Sequence, residues 1–65
     1  MKIHVSDRNV IIEHAAGQRM TICNMAGSVV AEAFVGSNAE TFPIAPLPQG
    51  LYVVWVGDES ATISF

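Results

Sequence analysis

The chain reads as an all-β protein, a small antiparallel sandwich or barrel of six to seven short strands in a single domain, residues 1–65. Three observations predict it. Short apolar runs recur at about eight to twelve residues with turn chemistry between them. No run combines helical periodicity with capping residues. The most apolar run, Leu51-Tyr52-Val53-Val54-Trp55-Val56, is six residues of β-branched, aromatic or Leu side chains, bounded by Leu47-Pro48-Gln49-Gly50 and Gly57-Asp58. Six residues are too few for a stable helix, and this composition suits a pleated, buried surface. It is taken as the central strand.

The other elements follow in order. Lys2 to Val5 alternates, and Ser6-Asp7-Arg8-Asn9 is a polar break that turns the chain. Val10-Ile11-Ile12 is a second strand, and His14-Ala15-Ala16-Gly17-Gln18 a loop. Arg19-Met20-Thr21-Ile22-Cys23 alternates, with Met20 and Ile22 on one face and Arg19, Thr21 and Cys23 on the other. The turn Asn24-Met25-Ala26-Gly27-Ser28 has Asn and Gly where positive φ is tolerated, so Gly27 defines it. Ser28 to Val35 contains Ala31, Glu32 and Ala33, which suit a helix, but it is short, opens on two valines and stops at Gly36; a strand is preferred. Pro43 cannot donate a ladder hydrogen bond, which assigns Thr41-Phe42-Pro43-Ile44 to a sheet edge. Pro48 and Gly50 occupy the second and fourth positions of a β-turn, as type I turns favour. Ser60 to Phe65 is the last strand, with Ala61, Ile63 and Phe65 on one face.

Composition bounds the function. A 65-residue chain buries only about 60% of its unfolded surface. Hydrophobic residues make up 51% and charged residues 14%, against roughly 25% charged in an ordinary domain. So little charge implies that a partner covers part of the surface or that the domain belongs to a larger protein. Net charge is −3, and the three basic residues, Lys2, Arg8 and Arg19, are scattered, which argues against nucleic-acid binding. The single cysteine, Cys23, excludes an internal disulfide. The N-terminus lacks the apolar core of a signal peptide, and no apolar run is long enough to span a membrane as a helix.

Two stretches resemble a known family. Met20-Thr21-Ile22-Cys23-Asn24-Met25-Ala26-Gly27-Ser28-Val29-Val30 has the form of the strand-turn-strand of type IX secretion system C-terminal sorting domains, with its Tyr-Asp-x-x-Gly-Arg-like turn. Leu47-Pro48-Gln49-Gly50-Leu51-Tyr52-Val53-Val54-Trp55-Val56-Gly57-Asp58 is similar to their Leu-Pro-x-Gly-Val-Tyr strand, and Asn9-Val10-Ile11-Ile12 falls at their first core strand. The resemblance implies an immunoglobulin-like sandwich carried by secreted proteins of the Bacteroidetes, read by outer-membrane export machinery and located outside the cell when a signal peptide lies upstream. Two departures stand out. Cys23 and Ser28 replace the family's usual Tyr and Arg, and Thr62-Ile63-Ser64-Phe65 lacks the usual terminal basic residue.

No catalytic, cofactor or metal site is expected. His4, His14 and Cys23 are potential zinc ligands by type, but their spacing matches no metal motif, and solvated or edge histidines account for the pattern. Cys23 has no adjacent base to make it a nucleophile. The acidic residues Asp7, Glu13, Glu32, Glu40, Asp58 and Glu59 sit at turns and strand ends, and the glycines occur singly, so no phosphate loop exists.

The functional expectation falls on the central strand. Tyr52, Val54 and Val56 share one face and Leu51, Val53 and Trp55 the other, so both faces are apolar and something must cover the second. The sorting families that the chain resembles usually carry Arg or Lys at the position of Trp55. Val53 and Trp55 are therefore the candidate interface with another chain. A sorting module read by export machinery would carry its information in exposed strand edges and the C-terminal strand, whereas a free-standing small binding or structural protein would self-associate through the Trp55 face as a homo-oligomer. The competing arrangement covers Trp55 within the monomer, by Ala39 to Pro46 or by the N-terminal strand.

Overall fold

Period-two alternation resolves into seven strands in the computed structural model, which describes residues 1–65. They are β1 (Lys2–Ser6), β2 (Asn9–Glu13), β3 (Arg19–Asn24), β4 (Val29–Phe34), β5 (Ala39–Pro43), β6 (Leu51–Val56) and β7 (Glu59–Ser64). All pairings are antiparallel, in a three-stranded sheet ordered β1-β2-β5 and a four-stranded sheet ordered β4-β3-β6-β7. In the lettering of the immunoglobulin sandwich these are A-B-E and C′-C-F-G. The segment with mixed helix and strand character is β4. Its Ala31 and Ala33 lie opposite Ile22 and Met20, and a bulge between Ile22 and Cys23 lets Val29 pair with Cys23. Pro43 ends β5, an edge strand, as its missing donor requires.

The core is contributed by both sheets and by the connections. Val10 and Ile12 come from β2, Met20 and Ile22 from β3, Tyr52, Val54 and Val56 from β6, and Ile63 from β7. Ala15, Val35 and Ile44 seal the ends of the sandwich from the loops. No polar or charged residue is buried among them. Because β6 lies between β3 and β7, its inward residues occupy the middle of the larger sheet. A domain of this length has about 3–10 kcal/mol of stability, so a truncation such as Ile12→Ala, at about 2–5 kcal/mol, removes a large share of it.

The hairpin turns have identifiable chemistry. Asp7 and Arg8 both adopt positive φ, 53° and 59°, the type I′ geometry that follows the strand twist. At the β3–β4 turn the Asn24 side-chain oxygen accepts the N–H groups of Ala26 and Ser28, both at 3.0 Å. Gly27, at φ 87°, donates to the Asn24 carbonyl at 3.0 Å. Gly57, at φ 61°, opens the two-residue β6–β7 turn, where an added Cβ would come within 2.6 Å of the Gln18 side-chain oxygen.

One turn differs from the sequence reading. The hydrogen-bonded turn of the β5–β6 connection is Ile44–Leu47, closed by the Leu47 N–H on the Ile44 carbonyl at 3.0 Å, while Pro48 to Gly50 is an open bend. Gly50 does not close back on Leu47 because its N–H and C=O exchange hydrogen bonds with Phe65, at 3.1 and 3.2 Å. Pro48 instead supplies a carbonyl that accepts the Tyr52 hydroxyl at 2.6 Å, the tyrosine corner of this sandwich class. Tyr52 also stacks on Phe65, with ring centroids 5.2 Å apart. Arg8 lies over that same Phe65 ring at 5.9 Å and donates to the Ala45 carbonyl at 3.1 Å, so the β1–β2 turn is tied to the connection.

Two substitutions test this account. Tyr52→Phe keeps the stack and loses the corner bond, and should cost about 1 kcal/mol in urea unfolding. Gly57→Ala should cost about 1 kcal/mol or more, since it combines a left-handed φ with the Gln18 contact.

Candidate functional site

The inward alternation of the four-stranded sheet dictates what its outer face carries. β3 presents Arg19, Thr21 and Cys23, and β6 presents Leu51, Val53 and Trp55. The register fixes the rows. Trp55 is flanked by Thr21 and Ser60, and Thr21 by Glu32 on its far side. Val53 is flanked by Cys23 and Thr62, and Cys23 in turn by Val29. Phe34 stands opposite Arg19 at one end of the face, and Leu51 opposite Ser64 at the other.

This face is where the molecule exposes its apolar surface. Of its six exposed large hydrophobic residues, Met1, Met25, Val29, Phe34, Leu51 and Trp55, four lie here. Phe34 is 64% exposed and Trp55 44%. Concentration on one face, and not mere exposure, is what marks it as a contact surface. The alternative of an internal cover fails on topology: β1 and β5 belong to the other sheet, and Trp55 remains open to solvent. Val53 is half-buried between Cys23 and Thr62.

The turn residues gather at one end of the sandwich. Asn24 pairs with Tyr52, which puts the Asn24–Ser28 turn with Gly27 beside the bend of Pro48 and Gly50. The Gly50–Phe65 pair adds the end of the last strand, and Arg8 adds the β1–β2 turn. At the opposite end a shallow pocket of about 100 Å³ is lined by residues including His14, Gln18, Asp58 and Glu59.

The potential ligand and nucleophile residues are dispersed. His4 is on β1, its Nε2 shielded and without a hydrogen-bond partner; His14 follows β2 at φ 61°; Cys23 is half-buried on the outer face of β3. No group of three His, Cys, Asp or Glu side chains converges on one point. No helix long and apolar enough to cross a membrane is present.

A family model covers residues 1–63 of this fold. The chain belongs to the DUF6383 family, a domain of unknown function. The match takes in six complete strands and β7 up to Ile63, so the outer face and the turn end both lie within the DUF6383 unit. No curated protein and no solved structure matches the chain.

Sequence reasoning placed Leu51, Val53 and Trp55 on one face of their strand but missed Val29 and Phe34 as parts of the same surface, and Glu32 and Arg19 as its only charges. Alternation within β4 could have placed Phe34 with Glu32. Joining them to Trp55 requires the strand order and the bulge, which leave no local mark. The division of faces sets an expected contrast: Trp55→Arg should lower monomer stability by less than about 1 kcal/mol in urea unfolding, whereas Ile22→Ala on the inner side should cost about 2–4 kcal/mol.

Proposed function

We propose that this domain is a non-enzymatic docking module of the C-terminal sorting type, a folded address read by type IX outer-membrane export machinery. The observation that carries the reading is the meeting of its two sorting-like motifs at one end of the sandwich, where Asn24 and Tyr52 are register partners. A folded address needs a rigid, shaped surface and no reactive group. Here the Asn24 oxygen holds one turn, the Tyr52 hydroxyl and the Gly50–Phe65 pair hold the other, and Arg8 ties the second to the β1–β2 turn through Phe65 and the Ala45 carbonyl. Strands β4 and β7 border the larger sheet, and added-strand pairing at such an edge is a natural mode of recognition. On this reading the domain is part of a secreted or surface protein whose signal peptide lies upstream.

The departures at Cys23 and Ser28 mark where this module differs from the sorting domains it resembles. Cys23 points to the outer face, where a Tyr would enlarge the apolar surface, and Ser28 supplies only backbone groups to the turn.

Fusion of the domain behind a signal peptide and a reporter, expressed in a host with type IX secretion, tests the proposal. The reporter should appear outside the cell, and Gly27→Val, which forces a β-branched residue into a left-handed φ, should lower its export at least several-fold. Periplasmic retention of the unmutated fusion would overturn the sorting role.

A further inference from the structure

The outer face of the four-stranded sheet carries two charges that no other residue of the chain answers. Arg19 and Glu32 are both exposed, on neighbouring strands, with Thr21 beside Glu32 in the row. They are one row and one strand apart. With strands about 4.8 Å apart and a rise of about 3.4 Å per residue, this puts their Cα positions about 8 Å from each other on a diagonal. No intrachain ion pair joins them. Around them the face is Val29, Cys23, Val53, Leu51, Phe34 and Trp55, with hydroxyls along β7.

We propose that this face binds a second copy of the chain about a two-fold axis that places Arg19 against the partner subunit's Glu32 and Glu32 against the partner subunit's Arg19. Arg19 and Glu32 are diagonal neighbours that form no ion pair within the monomer, and an isologous contact would pair both at once. The geometry gives the axis. The line that exchanges the positions of Arg19 and Glu32 in the plane of the sheet runs diagonally across the strands and passes within about 2 Å of the position of Trp55. The tryptophan therefore meets its own symmetry mate at the centre, where interface hot spots concentrate and where Trp is the favoured residue. The same axis crosses the two sheets at a steep angle, within the orthogonal class of sheet packing.

The domain measures 27 × 24 × 15 Å, so its whole broad face spans roughly 650 Å² in projection before side-chain relief is counted, which puts a contact through it at the small end of stable interfaces. A stable protein interface covers about 800 Å² on each partner. Thr21 and Ser60, the neighbours of Trp55 along its row, are small, and Trp55 itself stays exposed between them. The inference does not depend on the export reading, because it concerns association of the isolated domain.

Sedimentation equilibrium of the purified domain decides it. The wild type should shift with concentration from 6.9 kDa to twice that mass. Trp55→Arg should weaken the dimer about 30-fold or more. Arg19→Glu and Glu32→Arg should each weaken it about 10-fold, and the double exchange should return it to within a few-fold of wild type. Trp55→Ser serves if the arginine variant loses its β-type circular dichroism. A wild type of 6.9 kDa at millimolar concentration overturns the proposal, as does a dimer indifferent to Trp55. A double exchange no tighter than either single one overturns the two-fold arrangement.

Discussion

Tyr52, Val54 and Val56 point into the space between the sheets, and β6 is hydrogen-bonded along both edges, so a slip of one residue would turn all three to solvent. That register is the constraint on which the rest depends. It sets Ile22 and Met20 of β3 inward, and through them Ala31 and Ala33 of β4. On the other side it sets Ala61 and Ile63 of β7. The Tyr52 hydroxyl on Pro48 and the Gly50–Phe65 pair fix the start of the strand, where such a slip would begin.

The same alternation has a cost. In a 65-residue chain one layer of side chains between two sheets is all the core there is, and eleven residues fill it. Nothing remains to cover the outer face of the larger sheet, yet β6 is as apolar on that side as on the inner one. A monomeric sandwich ordinarily alternates apolar-in with polar-out, as β7 does with Ser60, Thr62 and Ser64. That β6 breaks the pattern, and that Val29 and Phe34 on the edge strand β4 break it as well, is the physical basis for reading the face as a contact surface.

Much of the fold was legible because short antiparallel strands leave a local trace. Alternation marked β1, β3 and β7, a continuous β-branched and aromatic run marked β6, Pro43 marked an edge, and Gly27 marked a left-handed turn position that the structure shows at φ 87°. What was not legible was relational. Pro48 and Gly50 looked like two positions of one β-turn, but their partners are Tyr52 and Phe65, and the Phe65 pairing joins the two ends of a hairpin. Trp55 and Val53 could be assigned to one side of a strand, but Arg19, Glu32, Phe34 and Val29 join them only through the order β4-β3-β6 and a bulge. Arg8 gave no sign of reaching Ala45 and Phe65, since that contact depends on how the two sheets are stacked.

Trp55 is the only tryptophan in the chain, so its fluorescence reports the environment of the outer face alone. If that face is an interface, emission should shift to the blue as the chain is concentrated, following the same isotherm as the rise in mass. Emission that stays at the position of a solvent-exposed indole at every concentration would contradict the account.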